Sequence, residues 1–341
     1  MYVVSLTGDR YQIGFQHGRR LRGLIHYAVR NRCRFYKDRG RPSPVGLQRR
    51  ASAIESNFPE LVAEMRGIAD GSRLPLHDIL IYNMSPIPNA CSNVAFLPDC
   101  RPILGHVNDD AGGSLDVAFC IRPTQGPEIL LIGQAGSVGA AAALNSSGLA
   151  MSHSCARSGG LRNREAYLNL PLLRRLLIDH SNNCQEARDF LSTHCFASGA
   201  DNIICVDHSG SAFVAEKLPT MVEFREPTGR GVYCTGRALT AAIRSAVEQD
   251  KYEEECNCEI GPLLAREGLF AWALAKPERA LSLRFMRQLL QHSDDEVEVS
   301  NELSTWAAAL SPASFEMWIA DRFPCHSKFA RIRRASKCRF I

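Results

Sequence analysis

Apolar residues along the first ninety positions fall near helical spacing. In "YQIGFQHGRRLRGLIHYAVRNRCRFY" the residues Ile13, His17, Leu21, Leu24 and Val29 share one face of a helix. "RPSPVG" interrupts it, and a second helical stretch follows, "LQRRASAIESNFPELVAEMRGIADG". Pro59 divides this stretch and Gly71 is placed to end it. "LPLHDILIYNM" fits a short helix or a strand. From Cys91 the period changes. "CSNVAFL", "RPILGHV", "LDVAFCIRP" and "EILLIGQAG" are short apolar runs separated by Asp, Pro and Gly, which reads as strands. "SVGAAAALNSSGLAMSHSC" is rich in small residues and fits closely approaching strands or a helix. Residues 163 to 192 predict two helices with a turn at Asn182 and Asn183. "ADNIICVDHSGSAFVAEKLPTMVEFREP" predicts a hairpin turning at "DHSG", and "GVYCTGRAL" another strand. Residues 237 to 293 read as helical and charged, and "FEMWIADRF" as a last strand.

Helices, strands, two helices and strands again do not make a βαβ rhythm. The order argues against a doubly wound parallel sheet and for a layered α+β fold. No low-complexity linker divides the chain and no internal repeat shows. The expected organisation is a helical segment, 1–90, packed with a region 91–341 as one domain. The glycines of "IGFQHG" and "GQAGSVGAA" lack the context of a dinucleotide fingerprint, so no nucleotide cofactor is expected.

Composition narrows the function class. The chain has 341 residues, 45% of them hydrophobic, enough for a sizeable core. Its formal net charge of +4 gives no reason to expect nucleic acid or a membrane surface as partner. The basic cluster "KFARIRRASKCRF" reads as a solvated tail. Thirteen cysteines, scattered without a repeating interval, read mostly as small buried hydrophobes rather than a disulfide scaffold. "CNC" at Cys256 to Cys258 is too tight for a zinc pair, so no metal is expected. The start lacks a basic region followed by a long apolar run, and no apolar run approaches eighteen residues. The expected setting is cytoplasmic. "NMS" at Asn83, "NSS" at Asn145 and the terminal "CRFI" then read as chance matches to modification motifs.

Five segments, in order, resemble the penicillin acyltransferase family of N-terminal-nucleophile hydrolases. They are "IGFQHG", "EMRGIADG", "ACSNVAF" with "LGHVNDD", "ALNSSGLAM" and "FEMWIADRFPC". The resemblance covers most of the chain. It implies a four-layer αββα sandwich in which two stacked antiparallel sheets lie between helical layers. It also implies a cysteine-dependent amidohydrolase or acyltransferase that acts on small N-acyl compounds, or on acyl thioesters, without a cofactor. The precursor would cut itself just before the nucleophile and keep its own N-terminal fragment as partner. The alternative is a non-catalytic relative that binds a small molecule or a protein.

Carried over residue by residue, the resemblance makes Cys91 the nucleophile, freed between Ala90 and Cys91. An α-amine titrates at about 8 and can serve as base beside the thiol, with no histidine required. A Cys91–His106 dyad is the other enzyme arrangement and needs no cut; His17 reads as a packing or capping residue. Asp109 matches the carboxylate that holds the amine, and Asp110 reads as turn. Asn145 matches an oxyanion donor. Two departures stand out. Ala90 replaces the family's usual glycine, and Thr235 in "YCTGR" aligns where the family carries an oxyanion asparagine. Arg237 and Arg322 are the substrate-binding candidates, suited to a carboxylate or phosphate.

Overall fold

The structure, a computed structural model, describes residues 1–39, 44–84, 90–98, 101–109, 115–156, 167–194, 197, 199–248, 260–293, 298–300, 304–332 and 339–340. The chain starts with β1 (Tyr2–Gly8), followed by α1 (Arg10–Arg20), α2 (Arg22–Arg39), α3 (Pro44–Asn57), α4 (Pro59–Ser72) and α5 (Leu76–Met84). Strands β2 (Ala90–Phe96), β3 (Ile103–Asp109), β4 (Asp116–Pro123), β5 (Ile129–Gln134), β6 (Ala142–Asn145) and β7 (Leu149–Cys155) follow. Next come α6 (Leu170–His180), α7 (Cys184–Thr193), β8 (Asp201–Asp207), β9 (Ala212–Lys217), β10 (Val222–Arg225) and β11 (Gly231–Cys234). The last part holds α8 (Ala241–Glu248), α9 (Ile260–Leu274), α10 (Leu283–Leu290), β12 (Ser304–Ser311), β13 (Glu316–Asp321), β14 (Ala330–Ile332) and β15 (Arg339–Phe340).

The strands form two sheets, ordered β10-β9-β8-β7-β6-β5-β4-β1-β15 and β11-β2-β3-β12-β13-β14. Among the described residues every pairing is antiparallel except β1 with β4, which runs parallel from Tyr2↔Val117 to Gly8↔Pro123. Period-two alternation sorts the side chains into layers. On β4, Val117, Phe119 and Ile121 pack with Ile13, Ile25, Met65 and Leu173 of the helices. Ala118 and Cys120, between them, pack instead with Leu104, Trp306 and Ile319 of the other sheet. On the far side Val94, Phe96 and Val107 pack with Phe270 of α9 and Met286 of α10. The result is the four-layer αββα arrangement. Small residues at Ala118, Ala142, Ala150 and Ala308 line the inter-sheet layer.

The helical N-terminal reading needs a correction at its start. "YVVSLTG" is a strand inside the larger sheet. Gly71 does not end the second helix, which runs through α4 to Ser72 and stops at Arg73, whose φ of +61° is left-handed. Gly71 instead permits close packing of α1 on α4. A Cβ there would lie 2.2 Å from the Phe15 carbonyl oxygen, and one on Gly14 would lie 2.0 Å from the carbonyl oxygen of Glu64. The alanine-rich stretch forms strands β6 and β7, not a helix. Beneath these helices Arg175 of α6 is buried against Glu64 at 2.9 Å and Asp179 at 3.0 Å. His17 of α1 accepts the Gly136 N–H on Nε2 at 2.9 Å. Among the described residues no helix is long and apolar enough to cross a membrane.

Candidate active site

Strand β2 lies between β11 and β3, inside the smaller sheet. Its alternation sets the direction of the thiol. Ala95 packs between the sheets, while Val94 and Phe96 pack toward α9 and α10. Cys91 and Asn93 share the parity of Ala95, so both face the other sheet. Register pairs Cys91 with Asn108, and the Sγ lies 3.4 Å from Asn108 Oδ1. Ser154 of β7 donates its hydroxyl to the Cys91 carbonyl at 2.6 Å. The thiol is only 1% exposed. Burial pushes its pKa far up, and Cys155, Asp109 and Asp201 add to the rise against the opposing charge of Arg174. Cys91 is therefore a protonated, enclosed thiol at neutral pH.

Asp109 pairs with Ala90 in register and so stands one step beyond the Cys91–Asn108 pair. Its carboxylate lies on the helix-facing side. Ser304 Oγ donates to one oxygen at 2.6 Å, and the Arg266 guanidinium of α9 donates to the other. Arg266 also reaches Ser92 Oγ at 3.1 Å and the Glu298 carbonyl at 2.7 Å. Asp110 lies outside the described residues, as does the "CNC" segment.

The other sequence candidates do not converge on Cys91. Asn145 donates its two amide protons to the carbonyls of Ile178, at 3.0 Å, and Ser181, at 2.7 Å. Its Oδ1 accepts the Leu149 N–H at 3.1 Å. Both donors are spent on closing the end of α6, so none is left for an oxyanion. Thr235 has one hydroxyl proton, and Glu267 of α9 takes it at 2.6 Å. Arg237 donates to the other oxygen of Glu267 at 2.9 Å. The structure thus joins Thr235 to Arg237, through Glu267 and not through Cys91. Arg322 is exposed at a turn with φ of +52°, held through its backbone by the Thr305 carbonyl at 2.8 Å and Ser327 Oγ at 2.6 Å.

A polar seam between the sheets went unread in the sequence. Asn93 Oδ1 accepts from Ser152 Oγ at 2.7 Å, and its Nδ2 donates to the His153 carbonyl at 2.9 Å. That fixes the amide, so the 2.6 Å contact from His106 Nδ1 to Asn93 Oδ1 needs the proton on Nδ1. Burial, reinforced by His153 and Arg174, holds the His106 pKa well below the usual histidine range. Its ring stacks on Trp306 at 4.6 Å. His106 is therefore a neutral seam residue directed at Asn93 and not a base hydrogen-bonded to Cys91. His153 Nδ1 meets Asp201 at 3.1 Å, and Arg174 binds the second Asp201 oxygen. His153, Cys155 and Asp201 bring potential metal-ligand atoms within 4.8 Å of one another. Protein partners already engage His153 Nδ1 and both oxygens of Asp201. The sequence signal for this seam was a run of polar residues inside each of two otherwise apolar strands, Cys91 to Asn93 in one and Ser152 to Ser154 in the other.

No curated protein matches the chain. Among solved structures, a penicillin V acylase from Agrobacterium tumefaciens is similar at 10% identity, covering 72% of this chain and 86% of that one, with a TM-score of 0.49. An ortholog of N-acylethanolamine-hydrolyzing acid amidase from Caenorhabditis elegans is similar at 13% identity, covering 65% and 93%, with a TM-score of 0.44. A variant of conjugated bile acid hydrolase from Clostridium perfringens is similar at 9% identity, covering 71% and 92%, with a TM-score of 0.45. Residues 96–254, from the end of β2 past α8, match the family model of acyl-coenzyme A:6-aminopenicillanic acid acyl-transferase, the family that the ordered motifs resemble.

Proposed function

We propose that the chain is a cysteine-dependent amidohydrolase or acyltransferase for small N-acyl compounds, with Cys91 as an N-terminal nucleophile. One observation carries this reading: Cys91, the second residue of β2, is an enclosed thiol beside Asn108, with Asp109 opposite Ala90, the residue on the other side of the bond to be cut. The uncut chain is then a resting precursor. In the cut, Cys91 Sγ attacks the Ala90 carbonyl carbon and the peptide C–N bond breaks. The nitrogen takes a proton and becomes the free α-amine, and the acyl group sits on sulfur as a thioester. Water hydrolyses that thioester, which returns the thiol and leaves a carboxylate on residue 90.

In turnover the α-amine takes the thiol proton, and the thiolate attacks the substrate amide carbonyl. Asp109 holds the resulting ammonium. The ammonium gives its proton to the leaving amine, and water or a second amine removes the acyl group. Backbone N–H groups beside Cys91 stabilise the oxyanion, since Asn145 and Thr235 spend their donors elsewhere. In this reading Arg237 and Arg322 act in the scaffold rather than on substrate. A cytoplasmic setting keeps thiols reduced, as a cysteine nucleophile requires.

Those spent donors, together with the enclosed thiol, favour one second reading, a non-catalytic relative that uses the fold for binding. Intact mass under denaturing conditions separates the two. The wild-type chain should appear as fragments 1–90 and 91–341, and Cys91→Ala as a single soluble chain. A wild-type chain that stays whole through long incubation and turns over no N-acyl amine supports the second reading.

A further inference from the structure

We infer that Arg266 is the positioning residue of this site, a clamp that fixes the Cys91 segment for its own cleavage; the inference rests on the function proposed above. The argument starts from cost. An arginine side chain that is 7% exposed must find strong partners, because an uncompensated buried charge is expensive. Arg266 finds three, and two of them flank the nucleophile. Its guanidinium binds Asp109, the register partner of Ala90, and Ser92, the residue after Cys91. One planar group thus holds β3 opposite the residue before the scissile bond, and β2 just beyond the nucleophile. Its Nε is anchored on the Glu298 carbonyl at 2.7 Å, which fixes the plane of the fork.

The neighbouring residue extends the clamp. Glu267 binds Thr235, directly after β11, and Arg237 at 2.9 Å. β11 is the other neighbour of β2. Two consecutive charged residues of α9 therefore tie down both strands that flank the nucleophile strand. The arrangement also balances charge. Asp109 disfavours a thiolate at Cys91, and Arg266 is the cation that pairs with that carboxylate. Arg266 touches neither the thiol nor the scissile carbonyl, so it acts through Asp109 and Ser92.

Self-cleavage tests this without knowledge of the substrate. The full-length chain, Arg266→Met, Arg266→Lys, Asp109→Asn and the Asp109→Asn/Arg266→Met double variant are followed by intact mass against time, with urea midpoints measured alongside. Loss of a charged hydrogen bond predicts that Arg266→Met cuts about ten- to a hundredfold more slowly. Lysine keeps the charge but not the fork, so Arg266→Lys should recover most of the rate and still fall about threefold or more below wild type. The double variant should be no slower than the slower single one, within about twofold, because both changes break one linkage. Cleavage of Arg266→Met at the wild-type rate overturns the inference, as does a double variant whose losses multiply. Should Arg266→Met fail to fold, Arg266→Lys decides, and a wild-type rate there overturns the inference equally. A wild-type chain that never cuts defeats the proposed function itself; a wild-type chain that cuts while the Arg266 variants match it defeats only the clamp.

Discussion

Replacing His17 by glutamine should remove a measurable part of the protein's sensitivity to acid. His17 is buried in α1, and its Nε2 accepts the Gly136 N–H at 2.9 Å, which requires a neutral ring. Burial, with Arg175 nearby, pulls its pKa down to about 3. In the unfolded chain the ring titrates at about 6.5. The unfolded state therefore binds a proton that the folded state refuses, at every pH between these two values. The stability tied to the neutral ring is fully present above pH 6.5 and is lost progressively as pH falls toward 3. One pH unit below the unfolded value, at about pH 5.5, the loss is about 1.4 kcal/mol, and at about pH 4.5 it is about 2.7 kcal/mol. Glutamine offers Gly136 an acceptor oxygen and does not titrate. Its packing changes the absolute stability, so the quantity to compare is the pH difference within each protein. Urea unfolding at about pH 7.5 and pH 5.5 supplies it, read from the midpoint and slope. Wild type should lose about 1.4 kcal/mol more than His17→Gln over that interval. His106 and His153, also held neutral by burial, are present in both proteins and cancel. Equal losses in the two proteins would refute the reasoning, because His17 would then titrate alike folded and unfolded.

Two further expectations concern packing and the hydroxyl of Thr235. Gly14→Ala places a Cβ 2.0 Å from a backbone oxygen of α4, so the helices must part; thermal unfolding should show a loss of about 1–3 kcal/mol or more, and an unchanged midpoint would contradict the contact. Thr235→Val leaves Glu267 Oε1 without its 2.6 Å donor and should cost about 1–3 kcal/mol of stability. The ratio of kcat/KM on an activated thioester to that on a matched amide should stay as in wild type; a ratio that shifts toward the thioester would return Thr235 to the oxyanion site.

What was legible in the sequence was whatever short-range pattern controls. The β2–β3 hairpin could be read from its apolar runs, and antiparallel register then sets Cys91 against Asn108. The two helices around Asn183 could be read because Asn183 caps α7, accepting the Glu186 N–H. β1 escaped notice because its partner β4 lies more than a hundred residues later and pairs in parallel, which no local turn announces. β12 escaped because "STWAAALS" has little β-propensity and is made a strand by burial between β3 and β13. The site divides in the same way. Backbone placement of Cys91 and Asp109 follows from the hairpin. The donors of Asn145 and Thr235 are instead claimed by Ile178, Ser181 and Glu267, partners that only the packing of α6 and α9 brings near. Arg266 stood in a charged helical stretch with nothing local to distinguish it from a surface residue.

The strand that begins the chain has a consequence for the life of the molecule after a cut before Cys91. β1 is held between β4 and β15, with seven residues in register along β4. The smaller fragment would therefore contribute a strand to the larger fragment's sheet, and the two would stay together as a heterodimer. Their relation to unfolding would nevertheless change. The uncut chain refolds as a single molecule, at a rate independent of concentration. The cut pair must first meet again in solution, so recovery would become bimolecular and dilution alone would oppose it. Such a protein would be assembled once, while its two parts were still one chain, and its working lifetime would be set by how slowly β1 leaves the sheet.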